Sequence, residues 1–223
     1  MSYMAMLPIK TVVVYCIWAL LSGSIPFGFF VIKIAGMGDV RNYGSGNIGA
    51  TNVMRTGGKM LGATTLLLDT TKGFLPIFLA HHIGNLEPEL LTVVILFAVV
   101  GHMFTPWLNF NGGKGVSTAM GAILAYHPIM LVPAIIAFFL TVAVLKYVSL
   151  GSIVASLVLF TTAIGLLGKW AVPQSQGCFP FWLPLFSWAT LVTMIIIKHT
   201  ANMKRIFYGT ESKYQNVKQK ITL

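Results

Sequence analysis

The sequence predicts an all-α polytopic membrane protein with about seven transmembrane helices, and three observations support this. Of 223 residues, 56% are hydrophobic and only 9% charged, against roughly 25% charged in a soluble domain. Mean hydropathy is +0.81. The apolar residues gather in runs at 11–34, 61–83, 89–104, 116–126, 129–145, 150–167 and 181–197. About 20 mostly apolar residues are needed to cross about 30 Å of hydrocarbon. What remains between the runs is too short for a large soluble domain, so 1–223 reads as a single integral membrane domain.

The first run follows Lys10 and contains Ser22, Gly23 and Ser24, which resembles a signal peptide. Its apolar character continues to Ile34, beyond the short core of such peptides, so it reads as a retained span. The second run carries Asp69 and Lys72, three apart and able to pair, since charges inside hydrocarbon need a partner or a cavity. The fourth, at 116–126, is little more than half a span and reads as a short, tilted or partly re-entrant helix. His81, His82, His102 and His127 fall at run ends, where amphipathic side chains are ordinary. Cys16 and Cys178 are too far apart in sequence to suggest a redox pair or a metal cluster, and no disulfide is expected.

Orientation follows from the cations. The formal charge is +10, from 15 Lys and Arg against 5 Asp and Glu. With seven spans drawn, all the Lys and Arg except Lys10, Lys72 and Lys169 share one side. The positive-inside rule makes that side cytoplasmic, with the N-terminus outside and the C-terminus inside. The segments richest in Gly, Asn, Ser and cations, 36–59, 109–117 and 198–213, then all become cytoplasmic and can meet. The opposite face has short connectors and the loop 168–180, whose Trp170 and Phe179, with nearby Trp182, read as interfacial anchors.

The first segment holds Gly44, Ser45, Gly46, Asn47, Gly49, Thr51, Asn52 and Arg55. Glycines let backbone N–H groups converge on an anion, Ser and Asn add donors, and an Arg grips phosphate oxygens in a fork. The second, with Asn111, Gly112, Gly113, Lys114, Gly115 and Ser117, leads into the short fourth run, so an anion would meet a helix N-terminus and a full charge. A Walker loop needs Gly where Leu108 stands, so nucleotide binding is not supported. In the third, His199 and Asn202 share one helix face, followed by Lys204, Arg205, Gly209 and Glu211. The five acidic residues, Asp39, Asp69, Glu87, Glu89 and Glu211, are dispersed, which disfavours a Mg²⁺ site. Polar groups gathered on one face speak against a continuous transport path.

Taken together, these segments resemble the bacterial acyl-phosphate:glycerol-3-phosphate acyltransferases of the PlsY family. The resemblance rests on Gly23-Ser24-Ile25-Pro26, Gly44-Ser45-Gly46-Asn47, Gly49-Ala50-Thr51-Asn52 with Arg55, Asp69 with Lys72-Gly73, Gly101-His102, Gly112-Gly113-Lys114-Gly115, and His199, Asn202, Arg205, Gly209 and Glu211. It implies transfer of a fatty acyl group from acyl phosphate to the 1-hydroxyl of glycerol 3-phosphate, giving lysophosphatidic acid and phosphate. It also implies a multi-pass protein of the bacterial inner membrane with its site on the cytoplasmic side, amid membrane lipid. It implies no cofactor, metal or nucleic acid, and a soluble acyl-phosphate synthase as metabolic partner.

Ser45, Arg55, Lys114, His199 and Asn202 match positions that the family uses. The expected catalytic set is Ser45, Lys114, His199 and Asn202. Substrate binding is expected from Arg55, Asn47, Thr51, Asn52, Gly112, Gly113, Gly115 and Arg205. Thr200 departs from the family, which often has Arg there. The His-x4-Asp pattern of acyl-CoA-dependent glycerolipid acyltransferases is missing; His82 and Glu87 come closest.

Overall fold

The computed structural model describes residues 3–170 and 182–214. The segment 171–181, with Cys178 and Phe179, and residues 215–223, with Lys218 and Lys220, lie outside the described residues, as do the side chains of Lys169 and Trp170. Among the described residues the chain is helical: α1 Tyr3–Ser24, α2 Phe27–Ile34, α3 Ala50–His82, α4 Pro88–Met103, α5 Val116–Tyr126, α6 Leu131–Leu145, α7 Val148–Trp170, α8 Trp182–Lys198 and α9 Thr200–Phe207. Three short 3₁₀ turns link them.

Each apolar run falls in helix, but the boundaries differ from expectation in two places. The first run is α1 and α2, broken where Pro26 supplies no N–H to continue the ladder. The second begins early: α3 starts at Ala50, so Thr51, Asn52, Arg55 and Lys59, expected in a loop, lie on helix. Gly58, at φ +89°, bends it there, a conformation that glycine adopts without penalty.

Among the described residues, four helical stretches, Ile9–Ile34, Pro88–Leu108, Pro128–Leu145 and Val148–Leu166, are long and apolar enough to cross a membrane, and a fifth if the bent pair α8–α9 counts as one. α5, with 11 residues, is only roughly 16 Å long.

Small residues close the helix seams, as expected where lipid removes the hydrophobic driving force between helices. A Cβ on Gly73 would stand 2.1 Å from the Thr118 carbonyl oxygen, and one on Gly121 1.9 Å from that of Thr70, so α3 and α5 touch backbone to backbone. The same holds for α1 and α4 at Gly23 and Gly101. Buried residues of α4, including Leu91, Val94, Ile95, Ala98 and Val99, form the centre of the core. By contrast α6 packs chiefly on α7 and touches α3 and α5 little, which leaves a cleft between α3–α5 and α6–α7.

Asp69 and Lys72 do pair, at 2.8 Å and almost fully buried. Lys72 Nζ also donates to the Ile25 carbonyl at 2.6 Å, and Ser22 Oγ to the Lys72 carbonyl. The pair therefore ties α3 to the α1–α2 break. His102 is not an interfacial side chain: it is 3% exposed, beside this pair.

Candidate active site

Seven residues ahead of it in the chain, the turn around Ser45 is knitted together by the side chain of Asn52. Its Nδ2 donates to the carbonyls of Val40, Tyr43 and Asn47, and its Oδ1 accepts the Ser45 N–H at 2.9 Å. Gly44 and Gly46 take left-handed backbone there, and the Asn52 amide occupies the space a Gly44 Cβ would need. Both polar atoms of Asn52 are thus spent on shaping the turn, which presents Ser45 and Asn47 to the cavity.

The second segment is docked onto the end of α4. Gly113 N–H donates to the His102 carbonyl at 3.1 Å and Gly112 N–H to that of Met103 at 3.2 Å. A side chain on either glycine would strike α4. These two amides, at residues expected to bind substrate, are therefore spent on the fold. What the docking does is aim Lys114. Gly115, left-handed at φ +81°, then caps α5, whose first turn has N–H groups without intrahelical acceptors.

The third segment folds back on itself. α8 ends at Lys198, which donates to the Met103 carbonyl. His199 breaks the helix, and α9 follows at 47°. After α9 the left-handed Gly209 reverses the chain, with Thr210 and Glu211 N–H both donating to the Arg205 carbonyl. That turn returns Glu211 to Asn202.

The three segments meet around a cavity of about 540 Å³ between the α3–α5 and α6–α7 pairs. At its mouth runs a chain of polar contacts: Lys114 Nζ donates to Asn202 Oδ1 at 2.5 Å, and Asn202 Nδ2 to Glu211 Oε1 at 2.6 Å. Arg205 Nε and Ser149 Oγ also donate to that carboxylate, at 2.7 and 2.8 Å. Glu211 therefore orients the amide of Asn202. Arg55 donates to the Ser212 carbonyl and lines the same mouth.

His199 is 1% exposed, with Nδ1 2.8 Å from the Ile195 carbonyl. A carbonyl only accepts, so Nδ1 carries the proton and Nε2 is left as a base. The N-termini of α3, at Gly49 and Ala50, and of α5, at Gly115 and Val116, both border the cavity, adding positive dipole ends. Its deeper wall is apolar: Leu66, Met120, Ile123, Phe138 and Leu159.

Ser45, Asn47, Thr51, Asn52, Arg55, Lys114, Gly115, His199 and Asn202 all border this one cavity. Gly112, Gly113 and Arg205 stand behind its wall, the glycines on α4 and Arg205 on Glu211. The central place of Glu211 and the stripe Ser149, Ser152 and Ser156 on α7 were not among the expected site residues. The i, i+3, i+7 spacing of these serines in an apolar helix was a visible signal.

Burial pushes the Lys114 ammonium down to about 8, with Glu211 opposing and Arg205 and Arg55 reinforcing the shift. Burial raises the Glu211 carboxyl, but the hydrogen bonds from Asn202, Arg205 and Ser149 outweigh it and hold the group below the usual range. Lys114 is therefore cationic below about pH 8 and loses its charge above. Affinity for sulfate, which does not titrate in this range, should be flat from pH 6 to 7.5 and then fall by up to about tenfold per pH unit. Lys114→Met should abolish that dependence in the same titration.

The sequence profile of the glycerol-3-phosphate acyltransferase family matches residues 13–209. The chain is 44% identical over 197 residues to the glycerol-3-phosphate acyltransferase of Trichlorobacter lovleyi, covering 88% of this chain and 94% of that one. It is 40% identical to that of Agrobacterium fabrum, covering 86% and 87%. Among solved structures it is similar to PlsY, an integral membrane glycerol 3-phosphate acyltransferase, in its glycerol 3-phosphate form. That match has a TM-score of 0.78 at 35% identity and covers 91% of this chain and 94% of the other. The lysophosphatidic acid form matches with a TM-score of 0.77 at 33% identity, covering 92% and 97%. With the family profile spanning most of its length and close relatives over nearly all of theirs, this chain belongs to the glycerol-3-phosphate acyltransferase family.

Proposed function

We propose that the cavity transfers a fatty acyl group from acyl phosphate to the 1-hydroxyl of glycerol 3-phosphate, forming lysophosphatidic acid and inorganic phosphate. The family supports glycerol 3-phosphate as acceptor and lysophosphatidic acid as product. The single observation that carries the fuller reading is the polarity of one cavity. It has a cationic mouth at Lys114, Arg55 and two helix N-termini, and an apolar arm beyond it. One substrate is a small phosphate ester and the other a phosphate on an alkyl chain, and such a cavity accommodates both.

In the reaction the 1-hydroxyl oxygen attacks the acyl carbonyl carbon. The bond from that carbon to the phosphate oxygen breaks, and phosphate leaves with the bonding pair. The hydroxyl proton ends on the departing phosphate, with His199 Nε2 as the relay. Lys114, Arg55 and Asn202 hold phosphate, Ser45 polarises the carbonyl, and Asn47, Thr51 and Gly115 complete the wall. Because a mixed anhydride is already activated, orientation and charge placement supply most of the acceleration. No acyl-serine is required.

The same reading places the protein as one domain, 1–223, in the bacterial inner membrane. It has seven spans, an external N-terminus and a cytoplasmic site formed by 36–59, 109–117 and 198–213. The cation distribution supports this orientation. Its donor would come from a soluble acyl-phosphate synthase.

The test is donor choice. Purified protein supplied with palmitoyl phosphate should release phosphate only when glycerol 3-phosphate is added, with one lysophosphatidic acid formed per phosphate. Equal or faster acylation from palmitoyl-CoA would overturn the donor assignment.

A further inference from the structure

Beneath the second segment lies a buried polar cluster that the reaction above does not use. Asp69, Lys72 and His102 are 1%, 3% and 3% exposed. His102 Nδ1 is 3.7 Å from Asp69 Oδ1; Asp69 is paired to Lys72, and Lys72 holds the Ile25 carbonyl. On its other edge the imidazole meets Gly113: a Cβ built on Gly113 would stand 2.0 Å from His102 Nε2. The next residue is Lys114.

The ring is therefore wedged between an immobile buried ion pair and the backbone one residue before the principal cation. The loop is also bonded directly to the end of α4, by Gly112 N–H on the Met103 carbonyl and Gly113 N–H on the His102 carbonyl. A loop bonded to the end of α4 while resting against the edge of the His102 ring can settle no deeper than that ring allows.

We infer that His102, seated on the Asp69–Lys72 pair, is a positioning residue that sets how far Lys114 reaches into the cavity. Asp69 and Lys72 act through it, as a fixed floor. This gives a reason for a glycine at 113 although its backbone is not left-handed, and a second task for a costly buried pair that also ties α3 to the α1–α2 break. The inference rests on the proposed reading of Lys114 as a phosphate-holding group, and its test separates the two.

Four proteins decide it: wild type, Gly113→Ala, His102→Asn, and the double variant. Asn keeps a polar nitrogen opposite Asp69 but lacks the atoms that Gly113→Ala would strike. Displacements of the order of an ångström reduce catalysis by about 10²-fold. Gly113→Ala should therefore raise KM for glycerol 3-phosphate at least tenfold, with kcat changed less. In the double variant most of that rise should disappear, because the obstructing ring edge is gone. His102→Asn alone should shift KM by a few-fold while its thermal midpoint stays near wild type.

Sulfate affinity, measured on the same four proteins, should follow the same pattern, and it reports on Lys114 placement even if acyl transfer is absent. A double variant no better than Gly113→Ala in both readouts, with midpoints near wild type, would overturn the inference. So would KM and sulfate affinity unchanged across the set. Wild-type protein that binds sulfate with the predicted pattern but releases no phosphate would overturn the proposed reaction and leave the positioning role standing.

Discussion

Lys114→Met is expected to lower kcat/KM for glycerol 3-phosphate by about 10²- to 10³-fold, with little change in the thermal midpoint. The two halves, lost activity and kept stability, have separate physical causes. Lys114 brings a full positive charge to the mouth of the cavity, where its own partial burial makes that charge worth more than in water. Deleting one such preorganised donor removes stabilisation from the phosphate both before and during transfer. Stability behaves differently. Met preserves the apolar stem and removes a cation whose burial already disfavours its charged form. What is lost is one contact to Asn202 Oδ1, at a site that solvent reaches. Steady-state kinetics beside thermal unfolding would check both halves, and a large loss of stability would show that Lys114 is chiefly a fold element.

Glu211→Leu is expected to be the most damaging single change in the third segment, for a reason that involves no substrate contact. Its carboxylate accepts hydrogen bonds from Asn202 and Arg205 on α9 and from Ser149 on α7, two helices that otherwise touch little. Removing the acceptor leaves three donors unmatched, each at about 1–3 kcal/mol where water cannot replace it. It also frees the Asn202 amide to turn its nitrogen toward Lys114. Activity should therefore fall at least 10²-fold together with a lower thermal midpoint, whereas Lys114→Met should lose activity alone. Glu211→Gln, which keeps one acceptor oxygen for Asn202 and Ser149 but turns an amide N–H toward Arg205 and loses the charge, should lie between them. Unaltered stability in Glu211→Leu would show that the three contacts are incidental.

The contrast between these variants reflects what was readable in the chain. Composition and the apolar runs located the helices, because a residue's solvent is a local property. The three polar segments could likewise be recognised as belonging together, since the span count and the cations put Ser45, Lys114 and Asn202 on one side of the membrane. The start of α3 at Ala50 was hidden because its cap, Gly49, offers no side chain to announce it. Gly112 and Gly113 were expected to bind substrate; their amides turn out to be taken by the end of α4. That choice between an external anion and an internal carbonyl depends on a distance between helices that spacing does not encode.

Asn52 shows the same limit, since a polar residue in a motif can shape the loop rather than touch the ligand. Glu211 and Ser149 were missed for a topological reason. Their contact spans 62 positions and depends on the reversal at Gly209. His102 read as an interfacial residue because it stands at a run end; only the helix packing shows it covered.

The central claim is that one cavity holds a phosphate at its mouth and an acyl chain along its inner wall. Photolabelling with a palmitoyl phosphate analogue that carries a diazirine near the middle of the chain tests it most directly. Adducts are expected on cavity residues such as Leu66, Ile123, Phe138 and Leu159, reduced by excess unlabelled palmitoyl phosphate. Adducts confined to lipid-facing residues outside the cavity, such as Val14, Leu67 and Val144, with no competition, would contradict it.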